Sequence, residues 1–288
     1  MAASLTHTAK CISFLAMNIS QLTFLERPEG RIAYDLTGLS DGPLVVCLPA
    51  MGELRSSYRL LTPLLVDRGY RVACLDLRGH GDSDASFSAY DDEALASDAL
   101  ALVARLGGPA YLVGNSMGAG AAVLAAAQRP DDVAGLVLAG PFVRNPATGR
   151  AGALLYRLLL TRPWGPAAFL GYYPRFTPGE KPPGYDEHRD AVAANLRRDG
   201  HWKAFVRTTR ASHAPAEARL GDVRAPTVVV MGTEDVDWAD PAAEAEWVGS
   251  RLGAEVVMAP GAGHYPQAQA PGLVAEAVAR VAGSNRHA

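Results

Sequence analysis

The sequence lacks several features that would point to whole classes of protein. It has three cysteines, Cys11, Cys47 and Cys74, and this odd number gives no disulfide framework. No run of Lys and Arg forms a basic stripe, which argues against a nucleic-acid partner. No segment approaches the roughly 18 consecutive apolar residues that a membrane-spanning helix needs. We therefore expect a cytoplasmic protein with neither a nucleic-acid nor a membrane partner.

What is present is typical of a globular enzyme. The 288 residues allow one large domain, or a core domain with an inserted lid. Hydrophobic residues make up 49%, charged residues 20%, and the formal net charge is −3. Residues 1–18 show no clear signal-peptide cleavage site, so we expect a disordered extension, with Met17 as an alternative start. Nothing in these totals indicates an oligomeric state.

Strand-like and helix-like segments alternate along most of the chain. Such alternation implies right-handed βαβ crossovers and a mostly parallel sheet with helices on both faces, which is an α/β fold. The predicted strands are Leu22–Glu26, Arg31–Leu36, Leu44–Leu48, Arg71–Leu75, Ala110–Val113, Val133–Leu138, Pro226–Met231 and Glu255–Met258. The predicted core helices are Ser56–Asp67, Asp91–Leu106, Ser116–Arg129, Pro241–Leu252 and Pro271–Val281. The first two strands form a hairpin at one edge.

One long segment interrupts this alternation. Residues 142–222 contain several prolines and no good strand, with helix-like pieces near Gly152–Leu160 and Asp186–Arg198. We interpret them as a helical cap inserted into a core formed by residues 19–141 and 223–288. The cap is rich in aromatic residues, which line most small-molecule pockets. The candidate substrate contacts are Trp164, Tyr172, Tyr173 and Trp202. Packing within the cap's own core is an equal alternative for these four side chains.

The strongest chemical signal is Gly114-Asn115-Ser116-Met117-Gly118. It follows a predicted strand and opens a predicted helix, the context in which G-x-S-x-G is a nucleophile elbow. Flanking glycines let strand and helix approach closely, and the helix N-terminus favours developing negative charge. Ser116 is therefore the candidate nucleophile.

A serine nucleophile needs a base and a group that orients the base. Of seven histidines, His264 lies in a Gly-rich loop after the last strand, at the sheet edge where sites of open α/β sheets gather. Asp235 follows the preceding strand and is the candidate acid. The rivals for that role are Glu234, Asp237 and Asp240. The order Ser, Asp, His is the one expected of a hydrolase with this elbow.

Acyl transfer also needs N–H donors for the oxyanion of the tetrahedral intermediate. The residue after the nucleophile, Met117, supplies one candidate N–H. The loop after the strand Leu44–Leu48 supplies the second, which we assign to Met51. We interpret the nearby Glu53 as a helix-start residue rather than a catalytic carboxylate.

These motifs resemble those of the α/β-hydrolase superfamily, of the capped serine esterase, lipase and lactonase type. The resemblance spans residues 22–282 and rests on Gly114–Gly118, Asp76–Ser83, Gly232–Asp235 and Gly261–His264. It implies that the loop Asp76–Ser83 braces the sheet. Relatives often carry His-Gly where this chain has Pro49-Ala50, and Ala50 fits if its backbone is not left-handed.

The resemblance implies a serine hydrolase that cleaves an ester or a lactone. The aromatic residues of the cap predict an apolar, ring-containing small molecule as its substrate. The sequence shows neither clustered His and Cys at ligand spacing nor a phosphate loop, so we expect no metal and no organic cofactor. Dehalogenases and epoxide hydrolases of this fold use an aspartate at the elbow, where this chain has Ser116. The alternatives on the same triad are a C–C bond hydrolase, a perhydrolase, a thioesterase or a hydroxynitrile lyase. A non-hydrolytic small-molecule receptor is the alternative from another functional class.

Overall fold

The computed structural model describes residues 21–146 and 158–284. An eight-stranded sheet forms its centre, in the order β1-β2-β4-β3-β5-β6-β7-β8. The strands are β1 (Gln21–Arg27), β2 (Gly30–Thr37), β3 (Leu44–Leu48), β4 (Arg71–Leu75), β5 (Ala110–Asn115), β6 (Val133–Ala139), β7 (Thr227–Gly232) and β8 (Glu255–Ala259). Strand β2 is antiparallel to β1 and β4, and all other pairs are parallel. The predicted α/β fold with an antiparallel edge is confirmed.

Helices cover both faces of this sheet. They are α1 (Leu61–Val66), α2 (Asp92–Leu106), α3 (Met117–Gln128), α4 (Gly165–Tyr172), α5 (Tyr185–Arg197), α6 (His201–Thr208), α7 (Ala214–Arg219), α8 (Pro241–Leu252), α9 (Pro266–Gln269) and α10 (Pro271–Ser284). The single helix predicted over Ser56–Asp67 is instead a short 3₁₀ turn, Arg55–Tyr58, followed by α1. Among the residues described, no helix combines the length and apolar character needed to cross a bilayer.

The core consists of two apolar layers, one on each face of the sheet. Strand β3 is buried along its whole length because it lies mid-sheet with a layer on either side. Its residues alternate between the layers: Val46 packs with the layer under α2 and α3, and Val45 with the layer under α1 and α10. This period-2 alternation is what a strand requires.

The chain between β6 and β7 leaves the sheet and returns to it. In its described part, residues 140–146 and 158–226, this helical insertion carries helices and no strand. It has an apolar cluster of its own, which includes Phe169, Tyr173 and Phe205. The predicted helix near Gly152–Leu160 lies mostly outside the described residues, as do the predicted extension 1–18 and Cys11.

Parallel strands bring their carboxyl ends to one edge of the sheet, and loops from four of them meet there. These loops follow β3, β5, β7 and β8, and they carry the candidate site residues. The loop Asp76–Ser83 after β4 lies at the same edge. Within it the buried Asp76 pairs with Arg55, and the Ser83 hydroxyl accepts a hydrogen bond from the N–H of Ala33 on β2. The loop therefore links the sheet to the segment after β3.

Candidate active site

Ser116 lies at the turn from β5 into α3. Its backbone has φ 56° and ψ −121°, and it is the one residue other than glycine with positive φ among those described. Such a conformation costs on the order of 1–3 kcal/mol and persists only where the surroundings enforce it. Helix α3 begins at the next residue, so Ser116 lies at the positive end of that helix dipole. The geometry is that of a nucleophile elbow.

Close packing at Gly118 brings the loop after β3 against this elbow. A Cβ at position 118 would overlap the Leu48 carbonyl oxygen and come within 2.9 Å of the Pro49 oxygen. Only glycine allows the first turn of α3 to lie this close to the end of β3. The two candidate oxyanion donors, on either side of this contact, are therefore neighbours in the fold.

His264 and Asp235 form a buried pair. The Nδ1–H of His264 donates to Asp235 Oδ2 at 2.8 Å, and both side chains are almost completely shielded from solvent. Burial by itself lowers the pKa of His264, but the carboxylates of Asp235 and Asp237 outweigh it and raise the pKa to about 9. With Nδ1 bonded to Asp235, the ring can exchange protons only through Nε2.

Asp237 is a second carboxylate at the same ring nitrogen, with Oδ2 3.4 Å from His264 Nδ1. Burial and the neighbouring Asp235 raise its pKa, although His264 opposes them. Of the acids left open by the sequence, Asp235 makes the shorter contact and Asp237 the longer. These two acids and His264 could also ligate a cation. The 2.8 Å distance between His264 Nδ1 and Asp235 Oδ2 is that of a direct hydrogen bond. That the site holds no metal stays a prediction.

An amide network that the sequence did not suggest joins the elbow to the His264 loop. Asn115, next to Ser116, donates through Nδ2 to the carbonyls of Ala139 and His264, each at 2.9 Å. Its Oδ1 accepts a hydrogen bond from Gln267 Nε2 at 2.9 Å, and both side chains are fully buried. These bonds place the loops that carry Ser116 and His264 side by side. Within the described residues Ser116 Oγ and the His264 ring share no hydrogen bond, and such contacts often tighten only when substrate binds.

The candidate oxyanion donors lie on a tight turn and a helix end. The Glu53 N–H donates to Ala50 O at 3.1 Å, which closes a β-turn with Met51 and Gly52 at its centre. Ala50 has a negative φ, as the sequence analysis required. Of the described groups, none accepts a hydrogen bond from the N–H of Met51 or of Met117. Both donors are therefore available to a bound anion.

Aromatic rings of the helical insertion and of nearby loops surround His264. The His264 backbone N–H donates to the Phe176 carbonyl at 2.8 Å, and the Phe176 ring lies 5.8 Å from the imidazole. The Phe142 ring meets the imidazole edge-on at 5.5 Å and packs against Trp238 at 4.8 Å. Because Phe142, Phe176 and Trp238 are only partly buried, they present apolar surface beside His264, the candidate base.

The four predicted substrate contacts fall in different places. Tyr172 is 37% exposed and packs its ring on Phe176, so it lies near the base. Tyr173, the next residue in the chain, is buried. Trp202 is 4% exposed and packs on Phe205 inside the insertion. Trp164 is 55% exposed, and its indole N–H donates to the Leu158 carbonyl. Of the four, Tyr172 and Tyr173 pack against Phe176, whose ring contacts the His264 imidazole.

Glu53 lies in a setting that differs from the expected helix start. It is fully buried, accepts a hydrogen bond from the Tyr173 hydroxyl, and has Oε2 2.7 Å from His188 Nε2. Burial alone raises the pKa of Glu53, but these two partners hold the pKa below its usual value. The contacts fasten the turn after β3 to the helical insertion, because Tyr173 and His188 both belong to the insertion.

Comparison with known proteins places the chain among hydrolases. A profile of the alpha/beta hydrolase family matches residues 45–277. The chain is similar to 2-(acetamidomethylene)succinate hydrolase of Mesorhizobium japonicum, at 28% identity over 275 residues, which are 92% of this chain and 97% of that protein. Epoxide hydrolase B of Mycobacterium tuberculosis is 35% identical over 116 residues, which cover 39% of this chain and 33% of that enzyme.

A solved structure agrees with this assignment over the full fold. A hydrolase from Pseudomonas aeruginosa PA01 superposes with a TM-score of 0.75 at 25% identity. The match covers 92% of this chain and 100% of the other.

Proposed function

We propose that this chain, which belongs to the alpha/beta hydrolase family, is a serine hydrolase that cleaves a neutral, apolar carboxylic ester or lactone through an acyl-enzyme. The observation that carries the proposal is the strained Ser116 at a helix N-terminus, next to the loop that holds the buried His264–Asp235 pair. A strained elbow beside an oriented imidazole is the arrangement that activates a serine.

The proposed mechanism assigns one task to each group. Ser116 Oγ attacks the carbonyl carbon while His264 Nε2 takes its proton, and the N–H groups of Met51 and Met117 bind the oxyanion. Collapse of the intermediate breaks the bond to the leaving alkoxide, which receives the proton from His264. Water, deprotonated by the same imidazole, then attacks the acyl-enzyme and releases the acid and Ser116. Asp235 stabilises the imidazolium in both halves.

The elbow residue decides between this chemistry and that of the epoxide hydrolase among its relatives. A carboxylate that opens an epoxide forms an ester, which water can cleave. A serine that opened an epoxide would form an ether, which this site has no means to hydrolyse. Ser116 therefore favours substrates with a carbonyl group.

The surroundings of His264 favour a neutral and apolar substrate. The partly exposed rings of Phe142 and Phe176 contact the imidazole, and the exposed Tyr172 ring packs against Phe176. The charged groups closest to the ring are the carboxylates Asp235 and Asp237, which repel an anionic substrate. The substrate that we propose is thus less anionic than the succinate in the name of the Mesorhizobium japonicum relative. The expected cytoplasmic location stays a prediction.

A panel of substrates tests the proposal. Purified protein would be assayed with neutral p-nitrophenyl esters of increasing chain length, an aromatic lactone, the anionic p-nitrophenyl hemisuccinate and styrene oxide. We expect repeated turnover of the neutral esters or the lactone, a kcat/KM at least about tenfold lower for the hemisuccinate, and none for the epoxide. A fluorophosphonate probe should label Ser116, as located by peptide mass spectrometry. Binding of these compounds without repeated turnover would contradict the proposal and favour a receptor. Labelling at another serine would contradict the assignment of Ser116 as the nucleophile.

The pH dependence of the reaction should follow His264. Only the neutral imidazole can accept the Ser116 proton, so kcat/KM should rise with pH, with a midpoint near the His264 pKa of about 9 and a plateau about one pH unit higher. Asp237→Asn removes one of the carboxylates that raise this pKa and should move the rise to lower pH. Asp240→Asn is the control, because Asp240 caps α8 and accepts from the Ala243 N–H. A rise that stays in place in Asp237→Asn would contradict the assignment.

A further inference from the structure

His80 contacts the oxyanion turn from the side of the core. It lies in the loop after β4, is fully buried, and its Nε2 accepts a hydrogen bond from the Gly52 N–H at 3.1 Å. Gly52 is the third residue of the turn Ala50–Glu53, and the preceding residue is Met51. The bond therefore holds the peptide group between Met51 and Gly52 in place.

The turn has two possible orientations of its central peptide, and this bond selects one of them. Gly52 has φ +79°, while Met51 has a negative φ, which is the signature of a type II turn. In a type I turn the central peptide is rotated by about half a turn, so the Gly52 N–H would point away from His80. A Cβ at Gly52 would also lie 2.8 Å from Phe169 and 2.9 Å from Phe205, so both rings pack closely against the turn.

The proton on His80 is fixed by its two partners. Nδ1 faces the Arg78 carbonyl at 3.0 Å, and a carbonyl can only accept, so Nδ1 carries the hydrogen. Nε2 is then bare in the neutral ring and can accept from Gly52. Burial lowers the pKa of His80 to about 4, so the ring stays neutral over the range in which His264 titrates.

We infer that His80 is a positioning residue for catalysis: by accepting the Gly52 N–H it anchors the peptide on the carboxyl side of Met51, which restrains the position of Met51 and so of the N–H that Met51 offers to the oxyanion. The inference rests on the proposed serine hydrolase function. Donors that are already aligned need no reorganisation when the tetrahedral intermediate forms. Loss of the bond therefore acts on the transition state more than on substrate binding.

Two amide substitutions separate this role from a structural one. In His80→Gln the side-chain oxygen reaches about as far as Nε2 and can accept the Gly52 N–H, whereas in His80→Asn it is one carbon short. We expect His80→Asn to lower kcat by about 10²-fold, near the lower bound for loss of one oxyanion donor. KM should change by less than about threefold. His80→Gln should recover most of the lost kcat. Across these variants, the affinity for a boronic acid that mimics the tetrahedral intermediate should fall in parallel with kcat/KM.

Ser83→Ala is the matched control for stability. Ser83 lies in the same loop and is buried, but its hydroxyl bonds Ala33 and Asp76 rather than the oxyanion turn. This variant should lose thermal stability and keep kcat in the folded protein. If His80→Asn behaves as Ser83→Ala does, or if His80→Gln is as slow as His80→Asn, the inference is wrong. Ser116→Ala in the same assay reports separately on the proposed function, since full activity there would refute the serine mechanism itself.

The unsubstituted protein offers a test that does not depend on any variant folding. Nitrogen-15 NMR of labelled histidine distinguishes a ring nitrogen that carries hydrogen from one that does not. We expect His80 to be a neutral ring with hydrogen on Nδ1 and a bare Nε2 from pH 6 to 9. Hydrogen on Nε2 in this range would overturn the inference, because that nitrogen could not accept from Gly52.

Discussion

Ser116→Ala is expected to lower kcat for the preferred ester on the order of 10⁵-fold, because it removes the atom that forms the acyl-enzyme. Its Oγ makes no hydrogen bond within the described part of the chain, so its loss leaves no buried partner unsatisfied. The melting temperature should change by no more than about 2 °C. Initial rates with the neutral p-nitrophenyl ester, together with a thermal melt, measure both quantities.

Ser57→Ala provides the comparison for this substitution. Ser57 is also buried, and its hydroxyl likewise lacks a partner among the described residues. Its loss should leave kcat unchanged, because Ser57 does not lie at the elbow. Retention of more than about 1% of wild-type kcat in Ser116→Ala would place the nucleophile elsewhere.

Gly118→Ala is expected to destabilise the folded protein by about 4 kcal/mol or more, the range reached when a substitution forces atoms into a packed backbone. The new Cβ would overlap the Leu48 carbonyl oxygen and lie 2.7 Å from the Leu48 carbonyl carbon. Neither atom can rotate away as a side chain could, so β3 and α3 must separate. A thermal melt should show a midpoint lower by about 10 °C or more.

The control for Gly118→Ala is a helical glycine with open space around it. Gly272 near the start of α10 has nothing within 4 Å of where a Cβ would lie. Gly272→Ala should be neutral or stabilising by up to about 1 kcal/mol, as expected from helix propensity. A Gly118→Ala protein that melts like this control, with full activity, would show that the elbow and the end of β3 do not pack as closely as described.

The sheet and the order of its loops could be predicted because they depend on local patterns. The continuous apolar run of β3 and the glycine-flanked serine after β5 each specify their own element. Once a parallel sheet is predicted, its topology brings the loops that carry Ser116, Asp235 and His264 to one edge. This explains why residues far apart in the sequence could be grouped before the structure was known.

The side chains that arrange these loops could not be predicted because they depend on tertiary contacts. Asn115 and Gln267 are 152 positions apart, and neither amide lies in a periodic pattern that would pair them. Phe142 is the first residue of the predicted cap, and nothing in the sequence indicates that its ring contacts His264. His80 lies in the loop Asp76–Ser83, which is predicted to brace the sheet, but its bond to Gly52 depends on how that loop folds against the turn.

The aromatic residues of the insertion illustrate the same limit. Trp164 and Trp202 are the same residue type and lie in the same segment, but one is 55% exposed and the other 4%. Helix α4, which begins directly after Trp164, has no distinct apolar face. Helix α6 does place Trp202 and Phe205 on one face, but what that face packs against is not a property of the helix alone. Nearness to the base, as for Tyr172, could therefore be assigned only after the helices were placed against the core.

The hydrogen bond from the His264 N–H to the Phe176 carbonyl crosses from the core to the helical insertion. Its amide hydrogen is thus shielded by the insertion, whereas the amide hydrogens of the sheet are shielded by other strands. Any opening that separated the insertion from the core would expose the His264 amide to solvent deuterium while the sheet stayed protected. The exchange rate of this one amide would then measure the fraction of time for which His264 is uncovered. A ligand that holds the insertion down lowers that rate in proportion to its occupancy.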